Sequence, residues 1–265
     1  MAIRDLITRD TKIIHLVNQA NDFVFVARKT GLSEQLCESY NSWYLHDGIW
    51  YYYKRFYNLD NGLSDEIMFI NELIGEILAN KLEVPVVHYM IAELRNTIGL
   101  ISQNFHQNGQ DYYFMKNLQI LSSFYDDRNI ANLRRFCKDD DNYRELICEV
   151  LKLVAIDLYM NQQDRNFSNI QFTRRNGELH LTPLYDFEES FDDPLEEYYH
   201  SALLGIAVED LERYPQLNQF LDILFASTIR TVLEQIEDER KILIPQGIKD
   251  RYSDFERNRR IALKR

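Results

Sequence analysis

The chain has 265 residues, of which 45% are hydrophobic and 27% charged, the balance of an ordinary globular protein rather than a disordered or fibrous one. Its 30 Lys and Arg residues against 42 Asp and Glu residues give a net charge of −12, which argues against a nucleic-acid partner. No stretch approaches the roughly 18 apolar residues of a membrane span, and the start MAIRDLITRD is charged where a secretory signal needs an apolar run. We therefore expect a cytoplasmic protein that binds neither membranes nor nucleic acid directly.

Cysteine and histidine usage gives no sign of a disulfide framework or a zinc site. The three cysteines, Cys37, Cys137 and Cys148, are odd in number and far apart in the sequence, as expected of reduced thiols. The six histidines are scattered, so a zinc site would have to be assembled wholly by the fold.

The first half of the chain predicts an antiparallel sheet. Residues 23–27 predict a strand, and the turn that follows at 30–35 contains the single glycine Gly31. Two aromatic-rich runs, SWYL and IWYYYKRFY, are joined by Asp47-Gly48, which is a strong hairpin signal. Two further strands, VVHYMIAEL and TIGLISQNF, are predicted to turn near Arg95-Asn96.

Residues 64–81 predict a helix between these two pairs of strands. Asp65 and Glu66 stand in its first turn, where negative charge suits the helix dipole. Its apolar stripe consists of Ile67, Ile70, Ile74, Ile77 and Leu78. Glu72 points away from that stripe, so periodicity alone predicts a solvated side chain.

The second half of the chain is mainly helical in pattern. We expect an irregular polar excursion in HQNGQDYYFMK, a helical segment near 130–137, and a long helix at 142–160. A hairpin follows that turns at Arg175-Asn176-Gly177, and further helices are predicted, most clearly at 227–241 and in a closing helix with a basic end.

The loop and hairpin after the long helix carry three residues that phosphoryl transfer would need. Asp164 is followed five residues later by Asn169, and Asp186 comes after the hairpin. Transfer from ATP requires Mg²⁺ ligands and a carboxylate near the acceptor hydroxyl. The spacing Asp, four residues, Asn is that of the protein-kinase catalytic loop, and Asp186-Phe187 stands where a kinase has its second metal-binding Asp, with Glu188 in place of Gly. A polar turn remains the alternative for Asp164 and Asn169 taken alone.

Two segments, QQDRNFSNI and LTPLYDFEES, resemble the HipA-like serine/threonine kinases. That bacterial family has a DRHxxN-type loop and a PxYD metal motif, and Asn166 stands here where many members have His. Over residues 20–240 the resemblance implies a two-lobed α+β kinase fold. A small antiparallel-sheet lobe with one helix is expected at 1–105, and a mainly helical lobe at 106–265.

The resemblance implies roles for residues of the small lobe. Lys54 is expected to bind the α and β phosphates of ATP, with Tyr52, on the same strand face, near the adenine. The segment NELIGEILANKLEVPVV looks like the family helix whose glutamate pairs with the strand lysine. Glu72 is therefore the expected partner of Lys54, with Glu76 as the second choice. A lone lysine on an aromatic strand is otherwise an edge or snorkelling residue.

The same resemblance implies how the rest of ATP is bound. The turn at 30–35, with Gly31 and Ser33, is expected to cover the phosphates, although a plain surface turn is the alternative. The hinge that reads adenine through its backbone is expected near Ile101 to Phe105. Family members are inactivated by phosphorylation in the phosphate-covering loop, where Thr30 and Ser33 flank Gly31 here.

In the large lobe, Asp164 is expected to act as the base or to orient the acceptor hydroxyl, and Asn169 and Asp186 are expected to bind Mg²⁺. The sequence thus predicts an ATP- and Mg²⁺-dependent serine/threonine protein kinase. The alternatives are a small-molecule or lipid kinase with the same site, and a pseudokinase that binds nucleotide without transfer.

The length of the chain implies partners by resemblance. Only 53 residues precede Lys54, as in the short, toxin-type members of the family. A separately encoded antitoxin, or a partner that supplies the missing N-terminal subdomain, is therefore implied. The implied substrate is a protein, such as an aminoacyl-tRNA synthetase or another translation component.

Overall fold

A six-stranded sheet occupies the first half of this computed structural model. The structure describes residues 2–16, 24–26, 42–56, 63–106, 111–114, 133–162, 165, 169–191 and 214–263. The strands are β1 (Ile14–Leu16), β2 (Val24–Val26), β3 (Ser42–His46), β4 (Ile49–Arg55), β5 (Tyr89–Leu94) and β6 (Thr97–Gln103). Their order is β1-β5-β6-β4-β3-β2, and neighbours are antiparallel except β1 and β5.

Two tight turns set the register of this sheet. Between β3 and β4, Asp47 and Gly48 have φ angles of 47° and 79°, and between β5 and β6, Arg95 and Asn96 have φ angles of 49° and 65°. Positive φ at both central residues is the turn geometry that matches the twist of paired strands. Both hairpins predicted from the sequence are confirmed.

Helix α1 (Asp65–Lys81) packs between the sheet and the helices of the second half. All residues from 66 to 79 are buried, so the apolar stripe accounts for only part of the surface that packing covers. The expectation of a solvated Glu72 from periodicity was wrong, since Glu72 is 0% exposed. An enclosed helix places its polar residues inside the protein, where each one needs a hydrogen-bonding partner.

The two faces of the sheet belong to two hydrophobic cores. The smaller core consists of Leu16, Tyr44, Tyr53, Ala92 and Ile101. The larger core begins on the opposite face, continues through α1 and extends into the C-terminal helices. Because the larger core runs without a break across the expected boundary at 105 and 106, the division into lobes stays a prediction.

A second, three-stranded sheet follows in the chain. It consists of β7 (Asp111–Phe114), β8 (Gln171–Arg175) and β9 (Glu178–Leu181), antiparallel and in that order. The predicted hairpin is confirmed, and it turns at Asn176 and Gly177 with φ angles of 52° and 86°. Strand β7 corrects the expectation of an irregular excursion, because its aromatic centre DYYF pairs with a strand that comes about sixty residues later in the sequence.

Helix α2 (Asp140–Met160) holds this hairpin through polar side chains. The amide of Asn142 bonds to both backbone groups of Leu179, donating to the carbonyl at 2.8 Å and accepting from the N–H at 2.9 Å. Glu149 accepts a hydrogen bond from the N–H of Leu181 at 2.9 Å. These three hydrogen bonds fix β9 against α2.

The described C-terminal part contains three more helices, α3 (Pro215–Phe225), α4 (Ile229–Arg240) and α5 (Gln246–Ala262). They confirm the helix expected at 227–241 and the closing helix. The helical segment expected near 130–137 is, in its described part, only a 3-10 turn at Arg134–Phe136. None of the helices within the described ranges is both long and apolar enough to cross a membrane.

Candidate active site

The structure brings four of the residues singled out in the sequence into one group. Lys54 comes from β4, Glu72 from α1, and Asn169 and Asp186 from the two ends of the β8-β9 hairpin. The described residues do not include Asp164, Gly31, Ser33 or Thr30, so the roles expected for these residues stay predictions.

Lys54 lies at the centre of the group. Its Nζ donates to Glu72 Oε1 and to Asp186 Oδ1, each at 2.6 Å. Burial by itself lowers the pKa of Lys54, but the nearby charges of Asp186, Glu188 and Glu72 outweigh burial and raise the pKa well above its ordinary value. The side chain, which is only 10% exposed, is therefore a fixed positive charge.

Glu72 is held from two sides. One carboxyl oxygen accepts from Lys54, and the other accepts from the hydroxyl of Tyr89 on β5 at 2.9 Å. Burial, reinforced by the charge of Glu72, raises the pKa of Tyr89 well above its ordinary value, so the tyrosine keeps the proton that it donates. The second choice, Glu76, is bound instead by Arg240 at 2.8 Å and by His88 at 2.6 Å.

Asp186 connects the lysine with the part of the chain between α2 and the hairpin. Its Oδ1 accepts from Lys54, its Oδ2 accepts from Asn169 Nδ2 at 2.7 Å, and its backbone carbonyl accepts from Gln162 Nε2 at 2.6 Å. Burial raises the pKa of Asp186, but the charge and hydrogen bond of Lys54 outweigh burial and lower it below its ordinary value. Asp186 is consequently ionised at neutral pH.

Glu188, which the sequence shows only as the residue in the glycine position of the kinase motif, adds a third carboxylate to the group. Its Oε2 lies 3.2 Å from Lys54 Nζ. Burial raises the pKa of Glu188 to about 7, and the charges of Asp186 and Glu72 act in the same direction against that of Lys54. This carboxyl therefore changes protonation near neutral pH, whereas Asp186 does not.

Arg165, which was not singled out in the sequence, contacts the residues on either side of Asp186 in the chain. Its Nε lies 3.2 Å from Asp157 Oδ1, its Nη1 donates to the carbonyl of Tyr185 at 2.7 Å, and its guanidinium lies 4.7 Å from the ring centre of Phe187. Burial raises the pKa of Asp157 to about 6, against the charge of Arg165. The signal in the sequence was Asp157, an acidic residue within the apolar face of a helix.

Ile101 is not brought to this group. Lys54 pairs in register with Leu100, so the side chain of Ile101 points to the opposite face of the sheet, where it is fully buried beside Tyr53. Tyr52, two residues before Lys54, shares the lysine's face by strand alternation. The hinge expected near Ile101 to Phe105, which would read adenine through its backbone groups, stays a prediction.

The donor atoms of the site suit a hard divalent cation. Glu72, Asp186 and Glu188 each offer a carboxylate oxygen, and these three atoms lie within 4.8 Å of one another. Mg²⁺ prefers oxygen ligands and is usually bound through one or two carboxylates together with substrate phosphates. The residues present therefore fit the metal that accompanies ATP, with the ionised Asp186 as the strongest protein donor.

Comparison with known proteins identifies the fold. No protein-family model matches the sequence, and no curated protein matches it. Among solved structures, it is similar to the Helicobacter pylori proinflammatory kinase CtkA, with a TM-score of 0.55, 13% identity, and coverage of 84% of this chain and 90% of CtkA. It is also similar to HipA of Shewanella oneidensis, in a complex with HipB and operator DNA, with a TM-score of 0.55 and 14% identity. This chain has a HipA-like kinase fold.

The kinase fold accounts for the architecture described above, a mixed α+β structure with a sheet-rich first half and a mainly helical remainder. The match with HipA covers 82% of this chain but only 57% of the HipA chain. At 13% and 14% identity the comparison establishes the fold, while the activity has to be argued from the site itself.

Proposed function

We propose that this protein is a kinase that uses Mg²⁺ and ATP to phosphorylate a serine or threonine hydroxyl of a protein. The observation that carries the proposal is the position of Lys54, which lies 2.6 Å from both Glu72 and Asp186 while Asn169 holds the second oxygen of Asp186. A kinase requires this lysine–glutamate pair together with a metal-binding carboxylate.

The side chains would divide the work as follows. Lys54 would bind ATP phosphates, and Glu72, itself held by Tyr89, would keep the ammonium directed into the cleft. Asp186 and Asn169 would hold Mg²⁺, which when bound neutralises negative charge on the phosphates. Asp164, five residues before Asn169 in the sequence, would orient the acceptor hydroxyl and accept its proton.

The proposal extends to partners. The HipA structure contains the antitoxin HipB, and this chain spans only 57% of the HipA chain. From the presence of HipB in that structure we infer a separately encoded antitoxin as a partner. The substrate would be a cytoplasmic protein, such as an aminoacyl-tRNA synthetase or another translation component, and the site would act without direct contact to nucleic acid or membrane.

Nucleotide binding is tested by thermal unfolding with and without millimolar Mg·ATP. A ligand that binds only the native state stabilises it by about 2.7 kcal/mol at a hundred times its Kd, so Tm should rise by several degrees. Asp186→Asn should abolish most of that rise. An unchanged Tm of the unmodified protein would rule out both a kinase and a nucleotide-binding pseudokinase.

Phosphoryl transfer is tested by mass spectrometry of phosphopeptides after incubating lysate proteins with the enzyme and ATP. Asp164→Ala should lose transfer while its ATP affinity changes little, because its carboxylate would face the acceptor and not the nucleotide. Binding without transfer would identify a pseudokinase, and transfer only to metabolites or lipids would identify a small-molecule or lipid kinase. Equal loss of binding and transfer in Asp164→Ala would assign Asp164 a structural role.

A further inference from the structure

Asn71 is a fully buried polar side chain on α1, one residue before Glu72. Its Nδ2 donates to the backbone carbonyls of Glu188 and Ser190, at 2.7 Å each, and its Oδ1 accepts from the hydroxyl of Tyr252 at 2.6 Å. Because backbone carbonyls can only accept hydrogen bonds, the amide group can satisfy both of them in this orientation alone. Asn71 thus joins α1 to a stretch of main chain and to α5.

The two carbonyls belong to the segment 186–191, which begins with the metal-site carboxylate. Its end residues, Asp186 and Phe191, have φ angles of 67° and 58°, in the left-handed region that residues other than glycine rarely adopt. A backbone held in this region twice within six residues depends on its surroundings to keep that conformation. The N–H of Phe191 donates to the carbonyl of Met160 at 2.7 Å, which fixes the far end.

Polar side chains bind four backbone carbonyls between residues 185 and 190. Arg165 holds that of Tyr185, and Gln162 holds that of Asp186. Both of these side chains come from the region just after α2. Asn71 binds the carbonyls of Glu188 and Ser190 from α1, the helix that also carries Glu72.

We propose that Asn71 is a positioning residue that holds Asp186 in the orientation in which its carboxylate meets Lys54 and Asn169. It acts through the main chain at 188 and 190 and does not itself touch nucleotide or metal. Lys54 has two partners at 2.6 Å, Glu72 and Asp186. The same turn of α1 thereby positions both of them, because it carries Glu72 itself and because Asn71 holds the segment that follows Asp186. The expected effect of Asn71 on metal-dependent ATP binding rests on the proposed function.

Two variants separate this role from ordinary packing. Asn71→Leu keeps a similar volume but removes all three hydrogen bonds. Tyr252→Phe removes the third bond, together with the longer 3.4 Å contact of the Tyr252 hydroxyl to the carbonyl of Ile67, and leaves the carbonyls of Glu188 and Ser190 bound to Asn71. It is therefore the matched control for loss of a buried polar contact. If Asn71→Leu does not fold, Asn71→Asp replaces it, because an ionised aspartate cannot donate to the two carbonyls but can still accept from Tyr252.

Hydrogen exchange without nucleotide tests the contact itself. In Asn71→Leu, the peptide that covers 186–191 should exchange at least tenfold faster than in the unmodified protein, while the peptide from α4 is unchanged. In Tyr252→Phe both peptides should exchange as in the unmodified protein. Equal exchange of 186–191 in the two variants would overturn the proposal and leave Asn71 as a core residue.

The Mg²⁺ dependence of ATP binding tests the consequence. Asn71→Leu should raise at least tenfold the Mg²⁺ concentration that gives half of the ATP-dependent thermal stabilisation, and Tyr252→Phe should change it less than twofold. A Mg²⁺ requirement that is the same in both variants would refute the role in positioning Asp186. If the unmodified protein does not bind Mg·ATP, the proposed function fails, and hydrogen exchange alone decides whether Asn71 holds the segment.

Discussion

Lys54 Nζ and Asp186 Oδ1 lie 2.6 Å apart, although 132 positions separate the two residues in the chain. Glu72 and Glu188 approach the same ammonium group, so one positive charge stands among three carboxylates. This arrangement is stable only while a cation occupies it, because carboxylates this close repel one another.

Lys54→Met should therefore destabilise the protein by about 3–5 kcal/mol, the usual cost of removing one partner of a buried ion pair. The loss should grow as pH rises. Without the ammonium of Lys54, the pKa of Glu188, already about 7, rises further. A carboxyl whose pKa is higher in the folded than in the unfolded state stabilises the fold at low pH, and this contribution is lost as the pH rises through the folded-state pKa. Thermal unfolding of the variant at pH 6 and pH 8 measures this effect.

Mg²⁺ should restore part of the Tm of Lys54→Met at pH 8, because the metal replaces the missing positive charge. Lys249→Met is the matched control, since Lys249 Nζ also lies 2.6 Å from a carboxylate, but Glu237 is its one ion-pair partner among the residues that the structure describes. It should lose less stability and show no response to Mg²⁺. An equal response of the two variants to Mg²⁺ would contradict a cation requirement at Lys54.

Gly75→Ala should disturb the site through Phe187. A methyl group at this position of α1 would lie against the fully buried ring of Phe187, closer than real side chains approach. Overpacking costs about 1–3 kcal/mol, which exceeds the gain of up to about 1 kcal/mol in helix propensity. We expect a lower Tm and weaker Mg·ATP binding, because Asp186 is adjacent to Phe187 in the chain.

Gly247→Ala is the control for the glycine substitution. Gly247 lies in α5, and an added methyl group would meet nothing within 4 Å. Chemical denaturation should show unchanged or slightly higher stability, and Mg·ATP binding should be unaffected. If Gly75→Ala behaved like Gly247→Ala, the ring of Phe187 would not constrain the site.

Asp157→Asn should change how stability depends on pH. Burial raises the pKa of Asp157 from 3.8 to about 6, so the carboxyl stabilises the fold below about pH 4, and this contribution is lost as pH rises to about 6. Relative to Asp157→Asn, the unmodified protein should lose on the order of 3 kcal/mol across that window. Urea unfolding at pH 4, 5 and 6 measures the difference, and parallel pH profiles would contradict it.

Phosphorylation of Thr30 or Ser33 is expected to inactivate the protein. A phosphate adds about −1.5 to −2 charges at pH 7 and would compete with ATP for Lys54, which already faces three carboxylates. Peptide mass analysis after incubation with Mg·ATP should show the modification, and Asp164→Ala should prevent it. Phosphate found only elsewhere, or a Thr30→Ala/Ser33→Ala variant with an unchanged time course of activity loss, would exclude this regulation.

Local signals explain what the sequence predicted well. Asp47-Gly48 and Asn176-Gly177 specify tight turns through their own backbone preferences, and the structure has hairpins at both places. The fold class followed from motifs that are short and contiguous. Such features require no knowledge of distant residues.

Features that the sequence did not predict depend on distant contacts. Helical periodicity did not predict the burial of Glu72, because that burial depends on α1 being enclosed by helices that come much later in the chain; only the family resemblance had named Glu72 as the partner of Lys54. The orientation of Ile101 depends on the pairing of Lys54 with Leu100, for which no local signal exists. The role of Glu188 follows from its 3.2 Å approach to Lys54, which its neighbours in the sequence do not indicate.

Three polar residues of α1 bind to three different parts of the protein, which limits how this kinase fold could be switched. Asn71 bonds to the 186–191 segment, Glu72 to Lys54, and Glu76 to Arg240. Movement of α1 relative to the sheet would separate Glu72 from Lys54, and movement relative to the C-terminal part of the chain would separate Asn71 and Glu76 from their partners, at a cost of several kcal/mol. Control by movement of this helix is therefore disfavoured. An inhibitor or antitoxin that blocked access to the assembled site would not need to break these contacts.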